Sequence, residues 1–240
     1  MKPIFDQLAG LLVHLGEKRI AVLHLGGYEL RFDWYILIMS WIVIGLIIGL
    51  ALWLRWGLRQ PVEEKPNRTQ AALESLMGLL KTQLADSFAS EQLALTMFPL
   101  VSAIFLYVLF SNCLSVIPYM VSPTQDLNVT LGLALLVFVI SQVLAIRNKG
   151  FKKYVRSFAD PIPVMLPINV IGELAKPLSH AFRLFGNVLA GTILVTVVMV
   201  KFAPIILPPV LNIFFGLFFG GIQAFVFAIL AVAYINVAVE

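Results

Sequence analysis

The chain has 240 residues, of which 60% are hydrophobic and only 12% are charged, and its formal net charge is +4. This composition excludes an ordinary soluble domain, because a soluble core of this size cannot bury so much apolar surface. Membrane topology explains the basic excess better than nucleic-acid binding does, since Lys and Arg collect in cytoplasmic loops.

Residues 1–33 carry mixed charges and lack the apolar stretch of a signal peptide, so the first apolar run should remain as a true span. Because basic residues follow that span, we interpret residues 1–33 as an extracytoplasmic N-terminal segment. No residue from Trp34 to Leu54 is charged, and aromatic residues stand at both ends of this run. The pattern predicts a first transmembrane helix over 34–58. Arg55 and Arg59 follow directly, which places its C-terminal end in the cytoplasm.

Residues 59–92 are predicted to form a cytoplasmic linker and an amphipathic helix. Leu73, Leu76, Leu80 and Leu84 recur at helical spacing while charged residues occupy other faces. Such a helix lies on the membrane surface. A short helix packed on other protein would show the same pattern, and that alternative stays open.

Residues 93–146 are predicted to form a transmembrane hairpin. The runs on either side of Asp126 are both uncharged, and the turn between them contains no Lys or Arg. The following loop, 147–160, is strongly basic and belongs in the cytoplasm. Both loops therefore agree with the orientation given by the first helix.

Residues 161–240 contain two apolar stretches, and each is longer than the roughly 20 residues that cross a bilayer upright. Strong tilt, or breaks at Pro204, Pro208 and Pro209, must absorb the excess length. The predicted fold class is an all-α polytopic membrane protein. It has about five membrane-embedded helices plus one amphipathic surface helix, and its last two helices are long and strongly tilted.

Arg183 is the most informative residue, because it lies inside an apolar span. A charge at the bilayer centre costs about 2.5 kcal/mol or more, so such residues usually face a cavity or a counter-charge. Arginine stays protonated in proteins and cannot relay a proton itself. We therefore interpret Arg183 as a fixed positive charge beside an ion path. A structural ion pair with Glu173 is the alternative.

Helical spacing places Lys176, His180 and Asn187 on nearly the same face as Arg183, so the four form a polar stripe. Glu173 lies about 80° further round and Thr192 on the opposite face.

A second stripe follows on the last helix and consists of Asn212, Gly216, Gln223 and Tyr234. Gly216, together with neighbouring glycines, makes this helix slim, which favours close packing or a separate partner. Asn212 and Gln223 would also fit as interhelical hydrogen-bond partners, and this alternative stays open.

The chain resembles subunit a of the F-type ATP synthases. The match is strongest in KPLSHAFRLFGN, from Lys176 to Asn187, and in GIQAFVFAILAVAY, from Gly221 to Tyr234. FSNCLSVIPY, from Phe110 to Tyr119, and SPTQDLNVTL, from Ser122 to Leu131, are weaker matches.

The resemblance implies two aqueous half-channels that carry H⁺ or Na⁺ to and from the carboxylates of a rotating c-ring, on either side of Arg183. It implies a non-catalytic subunit of an ATP-synthesising or ATP-hydrolysing complex, with no cofactor and no metal. The implied partners are the c-ring, the peripheral stalk b subunits, other ATP synthase subunits and the lipid bilayer, but no nucleic acid. The implied location is a bacterial plasma membrane, with the N-terminus outside and the C-terminus cytoplasmic.

Carried over by position, the ion-translocation residues are Arg183, Asn187 and Gln223, to which we add Glu173 and His180 as candidates. We expect supporting polar or close-packing roles for Lys176, Ser179, Thr192, Asn212, Gly216 and Tyr234.

The chain departs from many family members at Thr192, where they have a glutamate, and at Gly216, where many bacterial members have a histidine. Plastid members resemble this chain in having glycine there. Our hypothesis is that Glu173, with His180, supplies the missing titratable group of the access channel.

Two other functions fit an intramembrane charge. A stand-alone secondary transporter or channel usually has paired halves, and no second arginine-bearing segment matches 176–187. A structural membrane anchor would tolerate the loss of Arg183.

Overall fold

The structure is a computed structural model that describes residues 20–25, 28–57, 75, 78, 81–82, 87–88, 90–117, 120–158, 162–201 and 207–239. The predicted linker and surface helix at 59–92 fall largely outside these residues, and that prediction therefore stays open.

A β-hairpin precedes the first span. Strand β1 (Ile20–Leu25) pairs antiparallel with β2 (Tyr28–Asp33), and Ile20 lies opposite Asp33. The sequence between the two strands is Gly-Gly, a pair typical of two-residue hairpin connections. The hairpin adds two short strands, outside the spans, to the predicted helical fold.

Five helical stretches in the described part of the chain are long and apolar enough to cross a membrane, which confirms the predicted polytopic helical fold. The helices are α1 (Trp34–Gly57), α2 (Glu91–Leu114), α3 (Leu127–Lys149), α4 (Phe151–Ser157), α5 (Leu166–Lys201), α6 (Leu207–Ile213) and α7 (Gly220–Val239). The last span combines α6, a π-helical segment (Phe214–Phe219) and α7.

Local sequence explains where α2 and α3 begin and where α3 ends. The Ser90 hydroxyl accepts from the Leu93 N–H at 3.3 Å, and an Asp126 carboxylate oxygen accepts from the Asn128 N–H at 2.7 Å. Both are N-caps that satisfy amides left unpaired in the first helical turn. Gly150, at φ +77°, ends α3 and separates it from α4, a conformation that glycine tolerates best.

Helix α5 has 36 residues, which corresponds to about 54 Å at 1.5 Å per residue. A hydrocarbon core of about 30 Å cannot accommodate it upright, so it must tilt or extend beyond the membrane.

The core lies among α2, α3, α5 and α7. Val101, Val137, Leu184 and Phe227 are buried there. Helix α1 lies at the edge, where Met39 and Val43 pack near Leu114 of α2 and Tyr107 donates to Ser40 at 3.1 Å. Large apolar side chains on the outer faces of all five spans are exposed, as expected for surfaces that contact lipid or other membrane subunits.

Candidate functional site

The helical bundle has two ends, which we name by their connections. The Asp126 side is the end where α2 finishes and α3 begins, and the basic-loop side is the end where α3 finishes and α5 begins. Asp33, just before α1, and Asp126 line the same cavity, so α1 starts on the Asp126 side.

A cavity of about 890 Å³ opens on the Asp126 side. Asp33 and Asp126 are the charged residues of its lining, and both are acidic, so the field inside favours cations. Polar and small residues continue the wall inward, namely Asn112, Ser115, Ser122, Gln125, Asn187, Gly191, Thr192, Thr196, Asn212, Gly216, Gly220 and Gln223.

Two glycines of the last span let its backbone approach α2 closely along this cavity. A Cβ on Gly216 would come within 2.6 Å of Val116 Cγ2 and 2.8 Å of Ser115 Oγ. A Cβ on Gly220 would come within 2.6 Å of Asn112 Cβ. These distances are far shorter than any normal van der Waals contact, so glycine at both positions is required by packing. A side chain as large as histidine does not fit at Gly216 in this arrangement.

Asn112 connects three elements through buried hydrogen bonds. Its Nδ2 donates to the Gly220 carbonyl at 3.0 Å, where the π-helical segment meets α7. Its Oδ1 accepts from the Thr124 hydroxyl at 2.7 Å, and that hydroxyl also lies 2.6 Å from Ser122 Oγ. The end of α2, the connection to α3 and the last span are thereby held together.

The inner end of the cavity is an amide pair between α5 and α7. Asn187 Nδ2 donates to Gln223 Oε1 at 2.6 Å. Gln223 is only 6% exposed, and its Nε2 has no hydrogen-bond partner among the described residues. The Nε2 group of Gln223 is thus an unpaired donor at the inner end of the cavity. Because this group is buried, leaving it unpaired costs free energy.

Arg183 lies one turn before Asn187 on α5, and its side chain is on the exposed surface of the bundle. The same surface carries Ser179 and the apolar side chains of Leu178 and Phe182. Among the described residues no carboxylate pairs with Arg183. Glu173, the predicted candidate, pairs with Lys176. The geometry therefore does not support the alternative ion pair between Arg183 and Glu173.

Glu173 belongs to a polar network on the basic-loop side. One of its carboxylate oxygens accepts from Lys176, and the other accepts from Gln142 Nε2 of α3 at 3.1 Å. Tyr154 of α4 donates to Gln142. Burial, and secondly the nearby Glu173 carboxylate, raise the pKa of Tyr154, which keeps its hydroxyl a donor. Glu173 and Lys176 also line a small cavity of about 10 Å³, together with Ser141 and Tyr234.

His180 lies inside the bundle, whereas Arg183 lies on its surface, so the predicted stripe on α5 divides. His180 is 2% exposed, and its ring lies 3.7 Å from that of Phe227 and 5.5 Å from that of Tyr234, centroid to centroid. Its Nε2 has no hydrogen-bond partner in the part of the chain that the structure describes.

Most of the predicted site residues fall into two groups. Asn187, Thr192, Asn212, Gly216 and Gln223 line the larger cavity, whereas Glu173, Lys176 and Tyr234 line the smaller one. The Thr192 hydroxyl donates to the Val188 carbonyl of its own helix at 3.0 Å.

Glu173 and His180 do not line the larger cavity, and their predicted part in ion translocation stays a prediction.

Asp33, Asp126 and Asn112 were not among the predicted site residues. The available signal for Asp126 was a lone carboxylate in a turn without Lys or Arg. For Asp33 and Asn112 no signal in the sequence indicated that distant segments meet at one cavity.

Comparison of the sequence with known proteins places this chain in a family. The sequence profile of the family described as ATP synthase A chain matches residues 37–236. ATP synthase subunit a 1 of Crocosphaera subtropica is 38% identical over 199 residues, which cover 83% of this chain and 84% of the relative. ATP synthase subunit a of Acidothermus cellulolyticus is 34% identical over 211 residues, which cover 85% and 76% respectively. This multi-pass membrane chain therefore belongs to the family of ATP synthase A chains, also named ATP synthase subunit a.

Proposed function

We propose that the chain forms two half-channels that carry H⁺ or Na⁺ to and from the carboxylates of a c-ring, and so couples ion flow to rotation of the ring. The observation that carries this proposal is the position of Arg183. It is an exposed charge on an apolar surface, beside the inner end of a cavity with acidic residues.

An exposed arginine within a membrane span needs a partner, because leaving it in hydrocarbon costs about 2.5 kcal/mol or more. No carboxylate among the described residues supplies one. A carboxylate on a neighbouring ring would satisfy Arg183 after releasing its cation, since an opposite charge stabilises the ionised form. The fixed positive charge would also repel cations that leak along this surface.

The larger cavity serves as the half-channel that leads to Gln223. Its two carboxylates attract cations, and the unpaired Nε2 of Gln223 supplies a donor for an acceptor on the ring. On the basic-loop side, Glu173 and Lys176 mark the second passage. Each charge that crosses 100 mV releases about 2.3 kcal/mol, which is available to turn the ring.

The orientation follows from the distribution of charge. The last turn of α3 and the connection from α3 to α5 contain five basic residues, and the positive-inside rule assigns this end of the bundle to the cytoplasm. They are Arg147, Lys149, Lys152, Lys153 and Arg156. The Asp126 side then faces outward, as does the N-terminal segment, and the C-terminus is cytoplasmic. The bacterial plasma membrane is the proposed location, and the c-ring and peripheral stalk b subunits are the proposed partners. In this role the chain is itself non-catalytic.

Arg183→Ala in the complete complex, reconstituted into vesicles, tests the proposal. We expect ATP-driven ion transport to be lost, while c-ring and stalk subunits still co-purify. Phe182→Leu, next to Arg183 on the same exposed surface, is the matched control and is expected to transport normally. Unchanged transport by an assembled Arg183→Ala complex would remove the central claim and favour a structural anchor.

A further inference from the structure

Six buried side chains lie between the two described cavities along α5 and α7. His180, Ala181 and Leu184 come from α5, and Ala224, Phe227 and Ala228 come from α7. We call these six residues the His180 layer. All are 0–2% exposed, and none lines either described cavity.

The order of residues along both helices places this layer in the middle. On α5 the smaller cavity reaches Pro177, and the larger one begins at Phe185. On α7, which runs the opposite way, the larger cavity ends at Gln223, and the smaller one reaches Tyr234. Phe185 lies eight positions after Pro177, so the two cavities are about 12 Å apart along α5.

We propose that the His180 layer is a seal that prevents ions from crossing directly between the two half-channels inside this subunit. The inference rests on the proposed function, because only a coupled machine needs the two cavities to be separated. Arg183 lies on the outer surface at the same level of α5. The seal blocks the inner route between the described cavities, so that ions pass along the surface where Arg183 lies.

His180 is the central element of the seal. It fills the space between α5 and α7 with a flat ring packed against Phe227, at a centroid distance of 3.7 Å and an angle of 33°. Tyr234 contacts the same imidazole and also lines the smaller cavity. Removing the imidazole would therefore extend the smaller cavity toward Gln223. A water molecule takes about 30 Å³ and needs polar partners, which the Glu173 end of that cavity supplies.

A leak assay with a blocked ring tests the seal directly. The complete complex is reconstituted into vesicles and treated with a carbodiimide that modifies the ring carboxylate, so that coupled transport stops. A potassium gradient with valinomycin then drives ions, and entry is followed with proton-sensitive and sodium-sensitive dyes. Blocked wild-type complex gives the baseline.

We expect His180→Ser to leak at least about tenfold faster than blocked wild type, because it opens the layer and supplies a hydroxyl for water. His180→Phe keeps the volume and should stay at the baseline. Phe227→Ala removes the other half of the ring pair and should leak as His180→Ser does. If His180→Ser fails to co-purify with the ring, His180→Val, which removes less volume, takes its place.

Assembled His180→Ser and Phe227→Ala complexes that are both as tight as wild type would overturn the seal. Equal leaks through His180→Phe and His180→Ser would do the same, because volume would then not matter. These outcomes are independent of the Arg183→Ala result. Loss of transport in Arg183→Ala without any leak in the layer variants would keep the proposed function and reject the seal.

Discussion

The two cavities of this bundle differ in the way their walls are built. On the Asp126 side the wall contains a π-helical segment, two glycines in very close contact with α2 and the connection between α2 and α3, and it encloses about 890 Å³. On the basic-loop side three regular helices pack closely and leave about 10 Å³. Irregular backbone therefore creates space that regular helix packing closes.

The charges differ as well. Among the described residues, the larger cavity is lined by two carboxylates and by no Lys or Arg, whereas the smaller one is lined by both Glu173 and Lys176, which form an ion pair. A cation is thus attracted to the first cavity by its net charge, while in the second it must compete with an existing ion pair. Four variants test this difference between the two cavities.

Gly220→Ala should have the largest effect, because its new Cβ would lie 2.6 Å from Asn112 Cβ. Overpacking of this kind typically costs about 1–3 kcal/mol. Gly221→Ala is the matched control, since its nearest neighbour would be 3.9 Å away. Thermal unfolding of the purified complex measures both. Equal stability of the two variants would show that the close approach to α2 is unimportant.

Glu173→Gln keeps the shape and leaves one oxygen that can accept from either Gln142 or Lys176, but it removes the titratable charge. If Glu173 takes part in ion translocation, ATP-driven pumping should fall about tenfold, which corresponds to about 1.4 kcal/mol. Glu91→Gln, at the exposed start of α2, is the control for removing a carboxylate on the same side. Near-normal pumping by Glu173→Gln would reject its role.

Thr124→Val removes the hydroxyl that donates to Asn112 Oδ1 at 2.7 Å and leaves that buried oxygen without this donor. We expect a loss of about 1 kcal/mol in the free energy of unfolding. Thr124→Ser retains the hydroxyl and should recover most of the loss. Denaturation of the two purified complexes side by side gives the comparison, and identical curves would contradict it.

Asp126→Asn should have the smallest effect, because asparagine still caps α3 and only the charge is lost. Removing one of two acidic groups should slow ion entry by about threefold at low ionic strength. The difference should shrink in high salt, because screening weakens the field. Initial rates of ion transport at two salt concentrations test this. A salt-independent effect would point to a structural role instead.

The sequence predicted the spans well because each rests on a local property. Trp34 to Leu54 is uncharged and bracketed by aromatic residues, and it forms α1 as expected. The two long helices at 161–240 were also predicted, since their length is read directly from the apolar runs. The pairing of residues 20–25 with 28–33 was not predicted, because the length of apolar runs gives no signal for strands of six residues.

The site was predicted only in part, because helical spacing gives angles and not neighbours. Lys176, His180, Arg183 and Asn187 lie within a narrow arc of an ideal helix, yet α7 covers His180 and leaves Arg183 exposed. Likewise, the spacing of Asn212, Gly216 and Gln223 indicated a shared face, but it did not show that α2 lies within contact of Gly216.

The sequence alone indicates five stretches long and apolar enough to span a membrane, a charged residue within the fourth of them and motifs that resemble those of ATP synthase subunit a. Hydropathy, charge and motif are properties of contiguous residues, so no neighbour is needed to recognise them. Helix packing brings Asp33, Asp126 and Asn112 to one cavity. It also buries His180 against Phe227 and Tyr234. These arrangements depend on contacts between distant segments, such as the bond from Asn112 to Gly220, which lies 108 residues further along the chain. The packing of the helices decides such contacts, and local patterns do not encode them.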